Sequence, residues 1–313
     1  MSGLAQLVDE ILDGERRAVA RLISLIEDGD PRYAPVMESL FPHTGRAYTV
    51  GITGAAGAGK STLTDVLVTA ARADGATIGV LAIDPSSPFS GGALLGDRVR
   101  MQSHATDGGV FIRSMATRGH LGGIALATPE AVRVLDAAGK DYVVIETVGV
   151  GQAEVAVVNA CDTTVVVLNP GWGDAVQAAK AGLMEVADVF VVNKADRDGL
   201  KEAIRDLRQM LSLADSDHKP EIVSTVATRG TGVDELWAAV GRHRRYLEGG
   251  TLLSERRRRR SAGEIRDIAL ERLRTRIQGE GAERLEELAE EVRSRRLDPY
   301  AAARRLVEDL PGG

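Results

Sequence analysis

Seven apolar runs rich in valine, isoleucine and threonine alternate with helical patterns between residues 48 and 226. Apolar residues follow one another within these runs, as in strands that are buried on both faces of a parallel sheet. Strands that alternate with helices predict an α/β fold with a mostly parallel central sheet flanked by helices. The runs are YTVGIT, TIGVLAID, VFIRSM, DYVVIET, TTVVVLNP, DVFVVNK and EIVSTV.

Helical patterns without strands lie on either side of this region. We therefore predict an N-terminal helical extension over residues 1–45, an α/β domain over 46–248 and a C-terminal helical extension over 249–313. The C-terminal extension has too little core to be stable alone. Its apolar stripe is expected to dock either on the α/β domain or on a second copy of the chain. The stripe consists of Ile265, Ile268, Ala269, Leu273 and Ile277.

The composition argues against several classes of protein. Of the 313 residues, 44% are hydrophobic, which is enough for a full core, and 4% are aromatic, with a net charge of −6. Scarce aromatic residues and a negative charge argue against nucleic-acid binding. The chain has no apolar run near the roughly 18 residues that span a membrane. Its first 17 residues include acidic side chains and no long apolar segment, so we do not expect them to act as a signal peptide. Its single cysteine, Cys161, fits a reducing compartment, so we expect a soluble cytoplasmic protein.

A run of arginines from Arg256 to Arg260 lies near the start of the C-terminal extension. Such a run can bind an anionic partner, or it can form the solvated face of a helix. Because Glu255 and Glu264 lie nearby, we favour the solvated face.

The glycine-rich segment GAAGAGKST follows the first apolar run and precedes a helical pattern. It fits the G-x-x-x-x-G-K-[ST] pattern of a phosphate-binding loop, in which backbone N–H groups and a helix N-terminus face phosphate oxygens. Lys60 is expected to contact the β- and γ-phosphates and to be catalytic, and the Ser61 hydroxyl is expected to bind Mg²⁺. The predicted phosphate-binding residues are Gly54, Ala55, Ala56, Gly57, Ala58, Gly59, Lys60, Ser61 and Thr62.

The sixth apolar run ends in VVNKAD, where Asn193, Lys194 and Asp196 form the N-K-x-D arrangement. The Asp196 carboxylate can accept hydrogen bonds from N1–H and the exocyclic amine of guanine, which adenine does not offer side by side. The aliphatic part of Lys194 is expected to lie along the base. These residues predict GTP and GDP as the ligands. A backbone N–H near Ala227 is expected to close over the base from the segment Val226, Ala227 and Thr228.

Three acidic residues stand at or just beyond predicted strand ends, where the ligands of open α/β sheets bind. Carboxylates at this edge can hold Mg²⁺ directly or through water. The loop after Glu146 is rich in glycine, as expected of a loop that responds to the γ-phosphate. The predicted metal ligands are Ser61, Asp84, Asp97 and Glu146, and the predicted switch residues of the loop are Gly149, Gln152 and Glu154.

Six segments together resemble the family of MeaB-type GTPases, also called ArgK, from about residue 20 to the C-terminus. Two of them, AIDPSSPFSGGALLGDRVRM and IETVGVGQAE, have no counterpart in ordinary small GTPases. The sequence departs from the family at Ala56, where proline is frequent, and at Val226, where serine is common. The other segments are GAAGAGKST, RSMATRGHLGG, NPGWGDAVQAAKAG and NKAD.

The resemblance implies a GTP-hydrolysing chaperone of an adenosylcobalamin-dependent acyl-CoA mutase such as methylmalonyl-CoA mutase. It would gate cofactor loading and protect the mutase from inactivation. The resemblance also implies a homodimer formed through the helical extensions, which favours docking of the C-terminal stripe on a second copy. Asp84 would position the attacking water, and Asp174 and Lys180 would relay the nucleotide state to the mutase.

Two other functions are compatible with a phosphate loop. A metallochaperone GTPase would need a Cys-x-x-Cys pair or a histidine-rich tract, but the chain has one cysteine and five scattered histidines. A kinase that phosphorylates a transport protein would need an acceptor site, and Asp196 argues against ATP as its phosphate donor. We therefore favour the mutase chaperone.

Overall fold

The computed structural model describes residues 2–84, 102–116, 123–147, 161–171, 187–212 and 218–310. The chain forms two compact units, Met1–Arg256 and Arg257–Gly313. Among the helices in the described ranges, none has the length and apolar character needed to cross a membrane.

A parallel sheet forms the centre of the first unit. Its strands are β1 (Tyr48–Gly54), β2 (Ile78–Asp84), β3 (Val110–Ala116), β4 (Tyr142–Thr147), β5 (Thr163–Leu168), β6 (Val189–Val192) and β7 (Glu221–Ser224). Within the described ranges their order is β3-β2-β4-β1-β5-β6-β7, and all neighbours are parallel. Each apolar run of the sequence coincides with one of these strands to within two residues at either end. The predicted α/β fold class is therefore confirmed.

Helices cover both faces of this sheet, because successive strand residues point to opposite sides. In β4, Val143 and Ile145 join the core on one face, whereas Val144 joins the core on the other. The helices of the first unit are α1 (Ser2–Leu12), α2 (Arg16–Glu27), α3 (Tyr33–Leu40), α4 (Lys60–Ala73), α5 (Gly123–Ala137), α6 (Leu200–Ser212) and α7 (Val233–Glu248). Helices α4 and α7 pack on the face of Val144, and α1, α2, α3 and α5 pack on the opposite face.

The N-terminal helices belong to the core of the first unit. Leu7 of α1 and Leu22 of α2 are fully buried in the same cluster as the sheet residue Ile145. Asp136 of α5 accepts a hydrogen bond from the backbone N–H of Ala47 at 2.9 Å, which fixes the chain where it enters β1. Helices α1, α2 and α3 thus share one core with the sheet.

The helix α8 (Leu252–Gln278) begins in the first unit, where Arg256 anchors it. The Arg256 guanidinium donates to both carboxylate oxygens of Asp188, at 3.0 and 2.8 Å. His243 Nε2 lies 3.3 Å from the same carboxylate, and its Nδ1 is hydrogen-bonded to Thr163 Oγ1 at 2.8 Å. Thr163 is bonded in turn to the Tyr48 hydroxyl at 2.6 Å. Because these residues surround the N-terminal ends of the strands, we call the five of them the N-edge network.

This network corrects the interpretation of the arginine run. The solvated-face interpretation is wrong for Arg256, because its guanidinium is paired with a carboxylate that comes 68 residues earlier in the chain. Arg258 and Arg259 are exposed, as the interpretation expected.

The second unit contains the remainder of α8 with α9 (Ala282–Arg293) and α10 (Pro299–Asp309). Asp298 caps α10 by accepting hydrogen bonds from two backbone N–H groups. The unit has a small core of Leu288, Ala302 and Leu306. Other apolar side chains remain exposed, so this unit presents apolar surface that its own core does not cover. They include Ile265, Leu270, Tyr300 and Val307.

Candidate nucleotide site

The phosphate loop, residues 54–61, connects the end of β1 to the start of α4. Gly54 and Gly59 have positive φ angles of 135° and 91°. A Cβ at Gly54 would overlap the carbonyl oxygen of Val167, and one at Gly59 would lie 2.5 Å from Asn193 Nδ2. Glycine is therefore required at both positions. Since α4 begins at Lys60, the N–H groups of its first turn border the loop. All residues that the sequence predicts to bind phosphate lie in this loop or in that first turn.

The side chain of Lys60 turns back across the loop. Its Nζ donates to the carbonyl oxygens of Gly54 and Ala55 at 2.7 and 3.0 Å, and the residue is 5% exposed. The structure thus places a buried positive charge against the backbone that the motif assigns to phosphate. Such a charge attracts phosphate oxygens more strongly than an exposed one, because water screens it less.

Ser61 and Glu146 converge at the base of the loop. The Ser61 hydroxyl donates to Glu146 Oε1 at 2.5 Å. Glu146 lies in β4 between Ile52 of β1 and Ala82 of β2, and it is 2% exposed. A hydroxyl and a carboxylate from two different elements are oxygen donors of the kind that Mg²⁺ prefers. The donor set therefore fits Mg²⁺, with phosphate and water oxygens completing the coordination.

The structure does not describe the side chains of the other predicted metal and switch residues. Asp84 is the last residue of β2, and its side chain is not among those described. Within the described ranges, no group of three or more His, Cys, Asp or Glu side chains could hold a metal ion. The remaining predicted residues lie outside the described residues, and they are Asp97, Gly149, Gln152, Glu154, Asp174 and Lys180.

Asn193 connects three loops at the base side of the site. Its Nδ2 donates to the carbonyl oxygen of Ala58 in the phosphate loop at 2.8 Å. Its Oδ1 accepts from Thr225 Oγ1 and from the backbone N–H of Ala227, each at 3.1 Å. Asn193 is buried, so it acts as a brace between the phosphate loop and the segment after β7. A guanine oxygen that used the Ala227 N–H would have to share this donor with Asn193.

Lys194 reaches the phosphate loop from the same side. Its backbone is left-handed, with φ 57°, and its Nζ donates to the carbonyl oxygen of Gly57 at 2.6 Å. Asn169, just after β5, directs Nδ2 towards the same carbonyl oxygen at 3.4 Å. Two side chains from neighbouring strand ends therefore hold one carbonyl of the loop. The sequence alone gives no indication of this role for Asn169, because a lone asparagine after a strand has no distinctive pattern.

Asp196 lies on an exposed turn beyond β6. The turn is tied to the segment after β7, because the Ala195 N–H donates to the carbonyl oxygen of Thr225 at 3.0 Å. The Asp196 Oδ2 lies 3.5 Å from NH2 of Arg229. Arg229 follows Thr228, which is exposed, whereas Val226 and Ala227 are buried. The structure thus brings the base-side residues of the sequence analysis together and adds Arg229 to them.

The site combines a buried ammonium group, a helix N-terminus, two oxygen donors for a cation and a base-side carboxylate at one edge of the sheet. Such an arrangement can bind a nucleoside triphosphate and stabilise the charge that develops on its phosphates. Comparison with known proteins supports this assignment. A family model described as methylmalonyl Co-A mutase-associated GTPase MeaB matches residues 19–282.

Several relatives are similar over most of their length. A putative GTPase of Pyrococcus abyssi is 48% identical over 98% of this chain and 97% of its own length. The GTPase ArgK of Escherichia coli is 35% identical over 76% of this chain and 75% of its own. The mouse protein described as methylmalonic aciduria type A homolog, mitochondrial, is 34% identical over 74% of this chain and 61% of its own.

Among solved structures, one described as LAO/AO transport system kinase has a TM-score of 0.77 and 26% identity. The match covers 98% of this chain and 97% of that one. The resemblance drawn from the six sequence segments is therefore confirmed, and so are the GTPase activity and the GTPase fold that it implies. The chain belongs to the MeaB family of GTPases.

Proposed function

We propose that this GTPase serves an adenosylcobalamin-dependent acyl-CoA mutase, and that methylmalonyl-CoA mutase is the client. In this proposal GTP hydrolysis gates the loading of the cobalamin cofactor and protects the mutase from inactivation. The observation that supports it most is the match of residues 19–282 to a family described by its association with that mutase. The proposal places the protein in the cytoplasm.

The nucleotide cycle is assigned to the C-terminal edge of the sheet. The backbone N–H groups of the phosphate loop and of Ser61 and Thr62 would bind the phosphates. Lys60 would exchange the carbonyl oxygens of Gly54 and Ala55 for β- and γ-phosphate oxygens, which carry more negative charge. Hydrolysis by the chain alone would be slow, because the sequence assigns no arginine finger and a partner often completes such a site.

Ser61 and Glu146 would hold Mg²⁺, together with Asp84 and Asp97 in the proposed set. Bound Mg²⁺ would neutralise charge that develops on the phosphate oxygens. The present hydrogen bond between Ser61 and Glu146 already brings one hydroxyl and one carboxylate oxygen to the same point. Asp84 is proposed to position the attacking water.

The base side would select guanine through Asp196, with Asn193 as the brace and Lys194 beside the base. Val226, Ala227 and Thr228 would close over the base. An adenine in this position would leave the Asp196 carboxylate without its two donors, which disfavours ATP.

The nucleotide state would reach the mutase through segments that follow β4 and β5. Gly149, Gln152 and Glu154 are proposed to respond to the γ-phosphate, and Asp174 and Lys180 to contact the partner. Such loops become ordered around the γ-phosphate and relax after hydrolysis in other GTPases.

A homodimer is proposed through the C-terminal unit. Its apolar side chains at Ile265, Leu270 and Val307 are 68%, 57% and 52% exposed, and exposed apolar groups of this size favour burial against another surface. Sedimentation at increasing protein concentration would test this, and a chain that stays monomeric throughout would contradict the proposal.

The structural similarity to a protein described as a transport system kinase supports one alternative. As a kinase, the protein would transfer the terminal phosphate to another protein instead of to water. Incubation with γ-labelled GTP or ATP and a transport-protein fraction separates the two. Labelled protein would favour the kinase, and labelled inorganic phosphate alone would favour the GTPase switch. A metallochaperone role has no comparable support.

The mutase proposal is tested with the purified protein and the mutase from the same organism. The steady-state rate of GTP hydrolysis is measured alone and with the mutase, and cobalamin loading into the mutase is followed by absorbance. We expect a rise in rate of about tenfold or more, which corresponds to about 1.4 kcal/mol of barrier, and GTP-dependent loading.

The matched control for this experiment is Lys60→Ala with the same mutase. It should hydrolyse little GTP in either condition, which excludes a contaminating activity. An unchanged rate together with unchanged loading would contradict the mutase as client while leaving the GTPase activity intact.

A further inference from the structure

We propose that Arg229 is a specificity-determining residue of the GTP site, because it orients the Asp196 carboxylate towards guanine. The starting observation is the ion pair between Arg229 NH2 and Asp196 Oδ2 at 3.5 Å. The inference rests on the proposed assignment of Asp196 to the base, and it adds a residue that acts on the base through Asp196.

The backbone that carries Arg229 is firmly held. The N–H of Arg229 donates to the carbonyl oxygen of Val226 at 2.9 Å, and the N–H of Val226 donates to that of Thr231 at 3.0 Å. Gly230 closes the turn with a positive φ of 68°. The same turn is attached to β6 through the bond from the Ala227 N–H to Asn193. The backbone of Arg229 is therefore fixed relative to the loop of Asp196, and its side chain, which is 69% exposed, extends from that fixed point.

Asp196, by contrast, needs an external constraint. Its side chain is 37% exposed on a turn, where a carboxylate can rotate, whereas recognition of guanine requires both oxygens to face N1–H and the exocyclic amine. The nearby ammonium of Lys194 is directed to the carbonyl oxygen of Gly57 at 2.6 Å. Within the described ranges, Arg229 is the cationic residue that forms an ion pair with Asp196.

The ion pair and the base can be bound together. A carboxylate has about four acceptor positions on its two oxygens. Guanine uses one position on each oxygen, which leaves a second position on Oδ2 for Arg229. Without Arg229, the Asp196 carboxylate keeps its charge, but its orientation is no longer constrained. The hydrogen bond from the exocyclic amine of guanine should weaken most, because it requires the second carboxylate oxygen of Asp196 at a fixed angle.

The test compares the affinities for GTP and ITP, since inosine has N1–H but lacks the exocyclic amine. Binding with Mg²⁺ is measured by calorimetry for the full chain, Arg229→Ala and Arg197→Ala. Arg229→Ala should lower the ratio of GTP to ITP affinity by about threefold, the size expected of an exposed ion pair. Arg197→Ala is the matched control, because Arg197 is exposed and adjacent to Asp196 in the sequence, and it should leave the ratio unchanged.

Two further variants show whether Arg229 acts through Asp196. Arg229→Lys keeps the charge and should restore part of the ratio. In an Asp196→Asn background, which removes the ion pair, Arg229→Ala should have no further effect on the ratio. At about 1 M salt, where the screening length is about 3 Å, the difference between the full chain and Arg229→Ala should shrink.

The outcomes separate this inference from the base assignment. The role of Arg229 would be overturned if Arg229→Ala lowered the affinities for GTP and ITP equally. It would also be overturned if Arg229→Ala changed the ratio of GTP to ITP affinity by the same factor with Asp196 present and in the Asp196→Asn background. If Asp196→Asn itself leaves the ratio unchanged, the assignment of Asp196 to guanine fails as well. If Asp196→Asn changes the ratio and Arg229→Ala does not, only the role of Arg229 is wrong.

Discussion

The two edges of the central sheet use similar side chains in different ways. At the C-terminal edge, Lys60 and Lys194 donate to carbonyl oxygens of the phosphate loop, and Ser61 donates to Glu146. At the N-terminal edge, Arg256 and His243 of the N-edge network contact the carboxylate of Asp188.

The difference lies in what the polar groups contact. Neutral carbonyl oxygens hold an ammonium group less strongly than phosphate oxygens do, so the contacts of Lys60 are ones that a triphosphate can replace. The Arg256 guanidinium already has a full charge opposite it, and breaking such a pair is costly. We infer that the C-terminal edge is arranged for exchange and the N-terminal edge for stability.

The largest effect is expected for Lys60→Ala. Removal of one preorganised charge at the phosphates should lower the GTP hydrolysis rate by about 10²- to 10³-fold. The matched control is Lys140→Met, since Lys140 is a half-buried lysine beyond α5 whose Nζ lies 3.5 Å from the carbonyl oxygen of Gly109. Burial lowers the pKa of Lys140. The control should hydrolyse GTP at the normal rate, and a loss in both variants would contradict the comparison of the edges.

The second largest effect is expected for Glu146→Gln. A neutral amide binds Mg²⁺ more weakly than a carboxylate, so the Mg²⁺ concentration for half-maximal hydrolysis should rise about tenfold or more. The measurement is a Mg²⁺ titration of the hydrolysis rate. Because the amide can still hydrogen-bond to Ser61, the urea midpoint should change little. An unchanged Mg²⁺ requirement would remove Glu146 from the proposed metal ligands.

At the N-terminal edge of the sheet, Arg256→Ala should lower the free energy of unfolding and leave the GTP hydrolysis rate almost unchanged. Asp188 has 16% side-chain exposure and Arg256 has 29%, so loss of the arginine leaves a mostly buried carboxylate. We expect the free energy of unfolding, measured with urea, to fall by about 2–3 kcal/mol. The GTP hydrolysis rate per folded molecule should stay within about twofold of normal. A large loss of turnover without loss of stability would contradict the inference that the N-terminal edge serves stability.

The smallest effect is expected for the pH dependence of stability that His243 causes. Burial lowers the pKa of the His243 imidazole below its usual 6.5. The unfolded chain therefore binds more protons than the folded one between the folded pKa and about 6.5, so stability falls as the pH drops through this window. The free energy of unfolding is measured by urea titration between pH 7.5 and 5.5. The variant His243→Gln should have a shallower dependence, and equal slopes would contradict a buried neutral imidazole.

The sheet could be predicted from the sequence because each strand leaves a local signal. Runs such as TTVVVL and DVFVVN are continuous and β-branched, and strands buried on both faces require this composition. The phosphate loop was recognisable for the same reason, since Gly54 and Gly59 are needed within a short span for backbone geometry. Local requirements of this kind can be recognised because the residues that meet them are close together in the sequence.

Contacts between distant segments could not be predicted in this way. Asp188 and Arg256 are 68 residues apart, and nothing in RRRRR distinguishes the first arginine from the others. Arg229 is also an ordinary surface arginine until the turn after β7 is placed beside Asp196. The role of Asn193 as a brace was missed for a related reason, because its partners come from the phosphate loop and from Thr225 and Ala227.

Hydrogen–deuterium exchange with and without a non-hydrolysable GTP analogue and Mg²⁺ would test the comparison of the two edges most directly. We expect slower exchange in peptides covering the phosphate loop, residues 193–197 and residues 226–230. We expect unchanged exchange in peptides covering residues 161–164 and 242–248, which contain part of the N-edge network. Slower exchange confined to the latter peptides, or spread evenly over the chain, would contradict the assignment of nucleotide binding to the C-terminal edge.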